Sequence, residues 1–367
     1  MKSYPLNETI LTLERHIRQR SKNALNLRSC ELIHPGLADI FASVGPIDPS
    51  NIQFYPYPEE TIERIAQKWQ IPADTMTLSA GSDPIIAIII DALGITTRRM
   101  ILQVPNYFGW QNYPTLRGIT VTTVPFGQPK QHTFCLDTLI DNIRSNPPSI
   151  VAISNPNNPT GFVFSPEEII ILADECGNHG HLLIIDECFA GFANLNHYKI
   201  IGPREHVIFV RSFSKYFGLA GVRIALTIAS SKITQYLSRW RPEAAVSAPA
   251  LQMLEALINR EAELHNLCKD IIFSREKFIV AMKEIQPDWY PLPSGANYVT
   301  FFLSNGDSPA LVTEYLYQKG YHIRDVSTLP GLKACIRFGI AHWDIMQNVI
   351  EALEDITEDL LEASEKY

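Results

Sequence analysis

Residues 149–192 read SIVAISNPNNPTGFVFSPEEIIILADECGNHGHLLIIDECFAGF, and this stretch decides the fold class. Two short apolar runs with sharp ends, SIVAIS (149–154) and HLLIID (181–186), are strand candidates. Between them, 165–178 opens with Ser-Pro-Glu-Glu: an N-cap, a proline in the first turn and carboxylates where the helix dipole favours them. Strand, helix and strand at this spacing form a βαβ unit, the building block of a parallel sheet.

The same alternation extends outward from about residue 71 to 229. Further strand candidates are MILQV (100–104), TVTTV (120–124), VIFVRS (207–212) and IALTIA (224–229). The expectation is an α/β chain with a mostly parallel central sheet flanked by helices. After about residue 232 long amphipathic helices (248–285 and 345–363) flank short strands, NYVTFFL (297–303) and ACIRFGI (334–340). These predict a smaller α+β C-terminal domain. The expected division is an N-terminal segment (1–36) packing on the small domain and the pocket, a large ligand-binding domain (37–235) and the small domain (236–367).

With 46% hydrophobic and 19% charged residues, the 367-residue chain has the composition of a folded, water-soluble protein. A net charge of −8 argues against nucleic acid as a partner, because phosphate neutralisation needs a basic surface. Six scattered cysteines without a C-x-x-C pair read as free thiols of a reducing compartment. The N-terminus, MKSYPLNETILTLERHIRQR, lacks the apolar core of a signal peptide, and the apolar run 84–90 is far short of a membrane span. A cytoplasmic location is expected. His179 and His181, in GNHGH, read as a turn before a strand and not as metal ligands.

Polar residues gather where the expected strands end, the edge at which open α/β sheets bind ligands. In TLSAGSDPII (77–86), Gly81 and Ser82 make a tight turn, with Asp83 and Pro84 opening a helix whose free amides suit a phosphate. SNPNNPTGFV (154–163) forces an irregular loop whose asparagines can donate to a ligand oxygen. Asp186 and Glu187 end an apolar strand, as in a nucleotide hydrolase, but G-x-x-x-x-G-K-[ST] is absent. The better role for Asp186 is to pair with a protonated ring nitrogen, since a buried carboxylate needs a cationic partner. VRSFSKYFGLAGVRIA (210–225) brings Ser212, Ser214, Lys215 and Arg223 into one stretch: an amine able to form a Schiff base, beside hydroxyls and a guanidinium able to close on a phosphate.

SNPNNPTG, the strand-terminal Asp186, S-x-S-K with Lys215, and Arg223 eight residues later together resemble the class I/II aminotransferases of fold type I. Within that family the chain is most similar to histidinol-phosphate aminotransferases and threonine-phosphate decarboxylases. The resemblance implies pyridoxal 5′-phosphate as cofactor, carried by Lys215, which later shuttles a proton. It implies Asp186 on the pyridine nitrogen, Asn158 on the ring oxygen, and Ser82, Asp83, Ser212, Ser214 and Arg223 around the phosphate. An aromatic of VPNYFGW should stack on the ring, Phe108 aligning better than Tyr107. Tyr55, in FYPYP (54–58), matches a tyrosine that reaches the partner subunit's phosphate, so a homodimer is expected. Arg337 matches the arginine that clamps a substrate carboxylate.

Two departures bear on the reaction. The family's usual tyrosine three residues after the aspartate is Phe189 here, which removes a donor to the ring oxygen. The Asn-rich N-E-N-P stretch of relatives is replaced by LNLRSCELIHPG (25–36). Glu31 there, and Glu243 in RWRPEAAV, suit either a cationic substrate side chain or plain solvent, whereas Arg324 suits a phosphate or carboxylate tail. The leading expectation is an aminotransferase acting at the α-carbon of an L-amino acid in small-molecule biosynthesis. The alternative is a lyase of the same cofactor, decarboxylating or eliminating and cyclising a modified, arginine-like amino acid.

Overall fold

The six apolar runs between residues 100 and 229 pair into one sheet, joined by a seventh strand too short to stand out in the sequence. The computed structural model describes residues 10, 22–127, 134–354 and 356. Its strands in chain order are β1 (Leu25–Asn26), β2 (Met76–Ser79), β3 (Arg99–Val104), β4 (Thr120–Pro125), β5 (Ile150–Ser154), β6 (Leu182–Asp186), β7 (Val207–Ser212), β8 (Ala225–Ile228), β9 (Trp289–Pro291), β10 (Tyr298–Leu303), β11 (Tyr321–His322), β12 (Arg324–Asp325) and β13 (Cys335–Gly339). The large sheet has the order β2-β8-β7-β6-β5-β3-β4, and only β8 runs against its neighbours.

Both faces of this sheet are covered, as parallel strands require. Along β5, Ile150 and Ala152 pack on one side with Ile86, Ile89 and Ile90 of helix Ser82–Thr97. Val151 and Ile153 pack on the other with Leu172 and Ala173 of helix Pro166–Asn178. Each fully buried aliphatic side chain contributes about 1.5–3 kcal/mol. The second helix is capped as its sequence predicts: Ser165 Oγ accepts from the Glu168 amide (3.2 Å), and Glu168 returns a carboxylate oxygen to the Ser165 amide (2.7 Å). This reciprocal cap is worth about 1 kcal/mol.

The second sheet is small and antiparallel, in the order β12-β13-β10-β9. Its helices differ from expectation in one place. The apolar pattern 248–285 is not one helix but two, Ala248–Asn259 and Glu261–Ile285, broken at Arg260. Neither glycine nor proline marks the break; Arg260 instead sends Nη1 to the Ile40 carbonyl (3.2 Å) and two donors to Glu263. The final helix is described as Trp343–Glu354. Apart from residue 356, the remainder of 345–363 lies outside the described residues, as do most of the first twenty-one residues assigned to the N-terminal segment.

A strap over residues 25–33 ties the small sheet to the cavity. β1 pairs in parallel with β11. The Leu27 carbonyl accepts from the Gly339 amide (2.8 Å), the Cys30 carbonyl from Asn297 Nδ2 (3.0 Å) and the Ile33 carbonyl from the His342 amide (2.9 Å). Gly339 is what permits this approach, since a Cβ there would lie 2.3 Å from the Leu27 carbonyl oxygen. Gly339→Ala should therefore lift the strap and destabilise the fold by about 1–3 kcal/mol. Denaturant unfolding and limited proteolysis within residues 24–34 measure this; unchanged values for both would show that the strap yields without cost.

Candidate active site

The carboxyl ends of β5, β6 and β7 lie side by side, with Ser154 opposite Asp186 and Asp186 opposite Val210. One cavity opens at this edge. Its lining includes Lys215, Asp186, Asn158, Phe189, Arg223 and Arg337.

Asp186 and Glu187 are consecutive and both buried, yet their surroundings are opposite. Glu187 turns away from Lys215, to Arg211 Nε, His197 Nδ1 (2.6 Å) and the His197 amide (3.0 Å). Burial alone would raise its carboxyl, but Arg211 and His197 outweigh that and hold it down at about 2. Among the described residues, Asp186 has no cation as a hydrogen-bond or ion-pair partner. It accepts from the Trp110 indole (2.9 Å) and the Cys188 amide (3.0 Å), and burial pushes its carboxyl up against both. A buried carboxylate held by neutral donors, facing a cavity, is a seat for a positively charged ring nitrogen.

At another side of the cavity the backbone closes around an anion-sized space. Gly81, with φ of +98°, leads into helix Ser82–Thr97, and a Cβ there would lie 2.4 Å from a guanidinium nitrogen of Arg223. Arg223 donates from Nη1 to Ser214 Oγ (3.1 Å) and the Ala220 carbonyl (3.1 Å), and Ser212 Oγ accepts from the Ser214 amide (3.1 Å). Helix amides, two hydroxyls and a guanidinium are the donors a phosphate monoester requires. Asp83 is engaged by the Tyr107 hydroxyl (2.6 Å), and Tyr107 and Phe108 both line the cavity with ring centroids 4.4 Å apart. Lys215 Nζ reaches between these parts, donating to the Ser29 carbonyl and lying 5.7 Å from the Phe189 ring centre. The donor set thus fits a phosphorylated pyridine with an electrophilic carbon.

The Asn-Pro loop divides its work. Asn155 and Asn157 brace the loop, Asn155 Oδ1 accepting from the Phe164 amide (2.9 Å) and Asn157 Nδ2 donating to the Pro105 carbonyl (3.0 Å). Asn158 faces the cavity and accepts from Arg337 Nη1 (2.7 Å). Arg337, 2% exposed, lies over the Tyr298 ring and also donates to the Arg28 carbonyl. Phe189 packs edge-on to Tyr298, with centroids 5.1 Å apart. Arg324 sits across the strand pair from Arg337; burial, then Arg337 and Arg28, push it down to about 10.

Of the residues singled out in the sequence, Ser82, Asp83, Phe108, Asn158, Asp186, Phe189, Ser212, Ser214, Lys215, Arg223, Arg324, Arg337 and Glu31 all line this cavity. Tyr55 and Glu243 do not: both are exposed, Tyr55 by 83%. Sequence reading missed Arg28 and Trp110. A tryptophan just beyond a strand end carries an indole N–H that must find an acceptor when buried, which was the available signal. His181 is structural, its ring nitrogens engaged by the Ser149 amide and the Ile143 carbonyl. Among the described residues no cluster of histidine, cysteine or carboxylate side chains is built to hold a metal ion, and no helix is long and apolar enough to cross a membrane.

The family model described as aminotransferase class I and II matches residues 48–355. A histidinol-phosphate aminotransferase of Ruminiclostridium cellulolyticum is 25% identical over 278 residues, 76% of each chain. The fold matches that of histidinol-phosphate aminotransferase from Sinorhizobium meliloti in complex with pyridoxal-5′-phosphate (TM-score 0.79, 22% identity, 92% of each chain). It also matches L-threonine-O-3-phosphate decarboxylase from Porphyromonas gingivalis (TM-score 0.76, 19% identity, 91% of this chain and 99% of that one).

The Glu187 cluster gives a pH signature. Because the folded carboxyl titrates below the unfolded one, its stabilisation is complete above the ordinary range near 4.5 and is lost as pH falls toward about 2. Glu187→Gln should cost roughly 3–5 kcal/mol at neutral pH by leaving Arg211 uncompensated. Urea unfolding of variant and wild type should converge as the solution is acidified; a gap independent of pH would contradict this.

Proposed function

The chain belongs to the class I and II aminotransferases, and from that premise we propose that it is a pyridoxal-5′-phosphate enzyme moving the amino group of an L-amino acid. The observation that carries the reading is the pair of opposites at the cavity, a buried carboxylate without a cation and a lysine amine on the same cavity. When bound, the cofactor supplies an aldehyde that condenses with amines and a protonated ring that accepts electrons from a bond broken at the α-carbon.

The residues divide the rest of the work. Lys215 Nζ is the amine that would hold the cofactor covalently, and the same nitrogen, once freed, would take up and return the α-proton. Asp186 would keep a bound ring nitrogen protonated, with the Trp110 and Cys188 donors fixing the two carboxylate oxygens. Asn158, oriented by Arg337, offers its remaining amide to the ring oxygen. Ser82, Ser212, Ser214 and Arg223 hold the phosphate, and Asp83 fixes the Tyr107 hydroxyl beside it. Phe108, or Tyr107 beside it, would supply the aromatic surface for the ring. Arg337 clamps the α-carboxylate, with Arg324 beyond it toward the side chain.

A second reading, a lyase of the same cofactor, draws on Phe189. Its ring forms an apolar wall against Tyr298 where a hydroxyl would tune the ring oxygen. Incubation with single amino acids, with and without 2-oxoglutarate, separates the two by product mass: a transaminase needs the oxo acid to turn over, whereas a lyase does not.

Borohydride reduction of the loaded enzyme followed by peptide mapping should mark Lys215, and label on another lysine would reject the assignment. Asp186→Asn should remain folded and lose most of its rate as the ring nitrogen loses its proton.

The assembly is proposed as a homodimer. Ile52, Phe54, Tyr55 and Tyr57 are 73%, 63%, 83% and 74% exposed, an apolar surface that a second copy would cover while carrying Tyr55 to the neighbouring phosphate. Sedimentation should give a dimer at micromolar concentration, and Tyr55→Phe should weaken cofactor binding by roughly threefold to tenfold. A fully active monomer is incompatible with this.

A further inference from the structure

The end of β6 and the segment after β7 divide their side chains between two spaces. Asp186, Ser214 and Lys215 line the cavity described above, whereas Glu187, Phe213, Tyr216 and Phe217 line a second cavity of about 350 Å³. Cys188 and Ser212 line both. The two cavities therefore lie back to back, with residues 186–188 and 212–217 as the partition. The volume falls within the roughly 300–1,000 Å³ of small-molecule sites.

The polar groups of the second cavity are unequally spent. Both oxygens of Glu187 are taken, one by Arg211 Nε and the other by His197 Nδ1 (2.6 Å). Glu261 accepts from the Trp69 indole (3.1 Å), and the Tyr216 hydroxyl is engaged with His265 Nδ1 (2.7 Å). Arg211 is locked in place: Nη2 donates to Asn196 Oδ1 (2.9 Å), and the guanidinium lies 5.2 Å from the Trp69 ring centre. Its Nη1 has no partner among the described residues, and neither do the ammonium groups of Lys68 and Lys199, which line the same cavity. The unspent groups are thus cationic donors, set among the apolar surfaces of Leu195, Tyr216 and Phe217. An oxyanion answers the donors and a hydrocarbon body answers the wall. A cation would meet Arg211, Lys68 and Lys199 without relief, and a bare inorganic anion would leave the wall uncovered.

We propose that this second cavity is a binding site for a small organic carboxylate with an aliphatic or aromatic body, and that its occupation alters the affinity for the cofactor. The carboxylate takes the free Arg211 Nη1, and the body packs on Tyr216 and Phe217. Ser212 belongs to the phosphate cradle and Tyr216 adjoins Lys215, so the ligand bears on the segment that holds the cofactor. The effect is reciprocal: the factor that the ligand imposes on cofactor affinity is the factor that the cofactor imposes on the ligand. The linked effect rests on the functional reading above, and the binding site does not.

Calorimetric titration of the loaded enzyme with phenylacetate, benzyl alcohol and benzyltrimethylammonium tests it. Phenylacetate should bind on the order of tenfold or more tighter than the other two, the worth of one charge-assisted contact. Arg211→Lys keeps a cation for Glu187 but removes the free donor of the fork, and should weaken phenylacetate by about tenfold. Because that change also disturbs a buried pair, Lys199→Glu, at an exposed position, gives a second reading, with an expected loss of roughly threefold to tenfold. Saturating phenylacetate should shift the cofactor's dissociation constant, followed by equilibrium dialysis, by about twofold or more. Equal binding of the three probes overturns the proposal. So does phenylacetate binding that is lost in Arg337→Lys and unchanged in Arg211→Lys and Lys199→Glu, since the anion then sits in the catalytic cavity. An unshifted cofactor dissociation constant overturns the linked effect. Failure of borohydride to mark Lys215 would instead remove the functional reading, and the variant titrations would still decide the site.

Discussion

A carboxylate inside a protein is costly unless a positive charge meets it, and among the described residues Asp186 is met by an indole and an amide alone. The sheet places it there: β6 is flanked on both sides by parallel strands, so its last residue cannot turn to water without breaking the pairing with β5 and β7. Glu187, one residue on, shows what the same fold does when neutralisation is meant to be permanent, with Arg211 and His197 built in. The two neighbours thus differ in kind: one carboxyl is met by built-in cations, and the other lines the cavity with neutral donors. Lys215, Asn158, Ser212, Ser214 and Arg223 line the same cavity as Asp186.

The second organising feature is the strap. It crosses from the small sheet to the cavity, and its carbonyls, not its side chains, accept from Gly339, Arg337 and Lys215. Backbone anchoring leaves the side chains of Arg28 and Glu31 free to vary with substrate while the path of the chain stays constant. The departure from the Asn-rich stretch of relatives therefore changes the pocket without changing the fold.

Much of this was legible in the sequence because strand ends announce themselves. Three of the apolar runs stop at a polar residue, Ser154, Asp186 and Ser212. The Asn-Pro loop, Lys215 and Arg223 were readable because their local chemistry has few structural uses. What escaped notice depends on long-range approach. β2 is four residues long and pairs with β8, about 150 positions away, so no local pattern marks it. The break at Arg260 comes from a carbonyl on another helix, Ile40, which an apolar period cannot register. Trp110 looked like one more aromatic until its indole was found on Asp186. Arg28 carried no motif, and only the strap's return to the cavity brings it beside Arg324. Tyr55 and Glu243 lie on the surface because a single chain offers them no cavity to line.

The hydrogen bond from Lys215 to the Ser29 carbonyl makes the strap a competitor for the lysine's protons. A group that takes the proton this carbonyl accepts displaces the carbonyl, and a group that takes the Arg337 Nη2 donor displaces the Arg28 carbonyl in the same way. Occupancy of the cavity and docking of residues 25–33 are thus thermodynamically linked, each altering the free energy of the other by an equal amount. An affinity measured at this site is a difference between two sets of contacts. Loosening the strap should raise it even where no touching atom has changed.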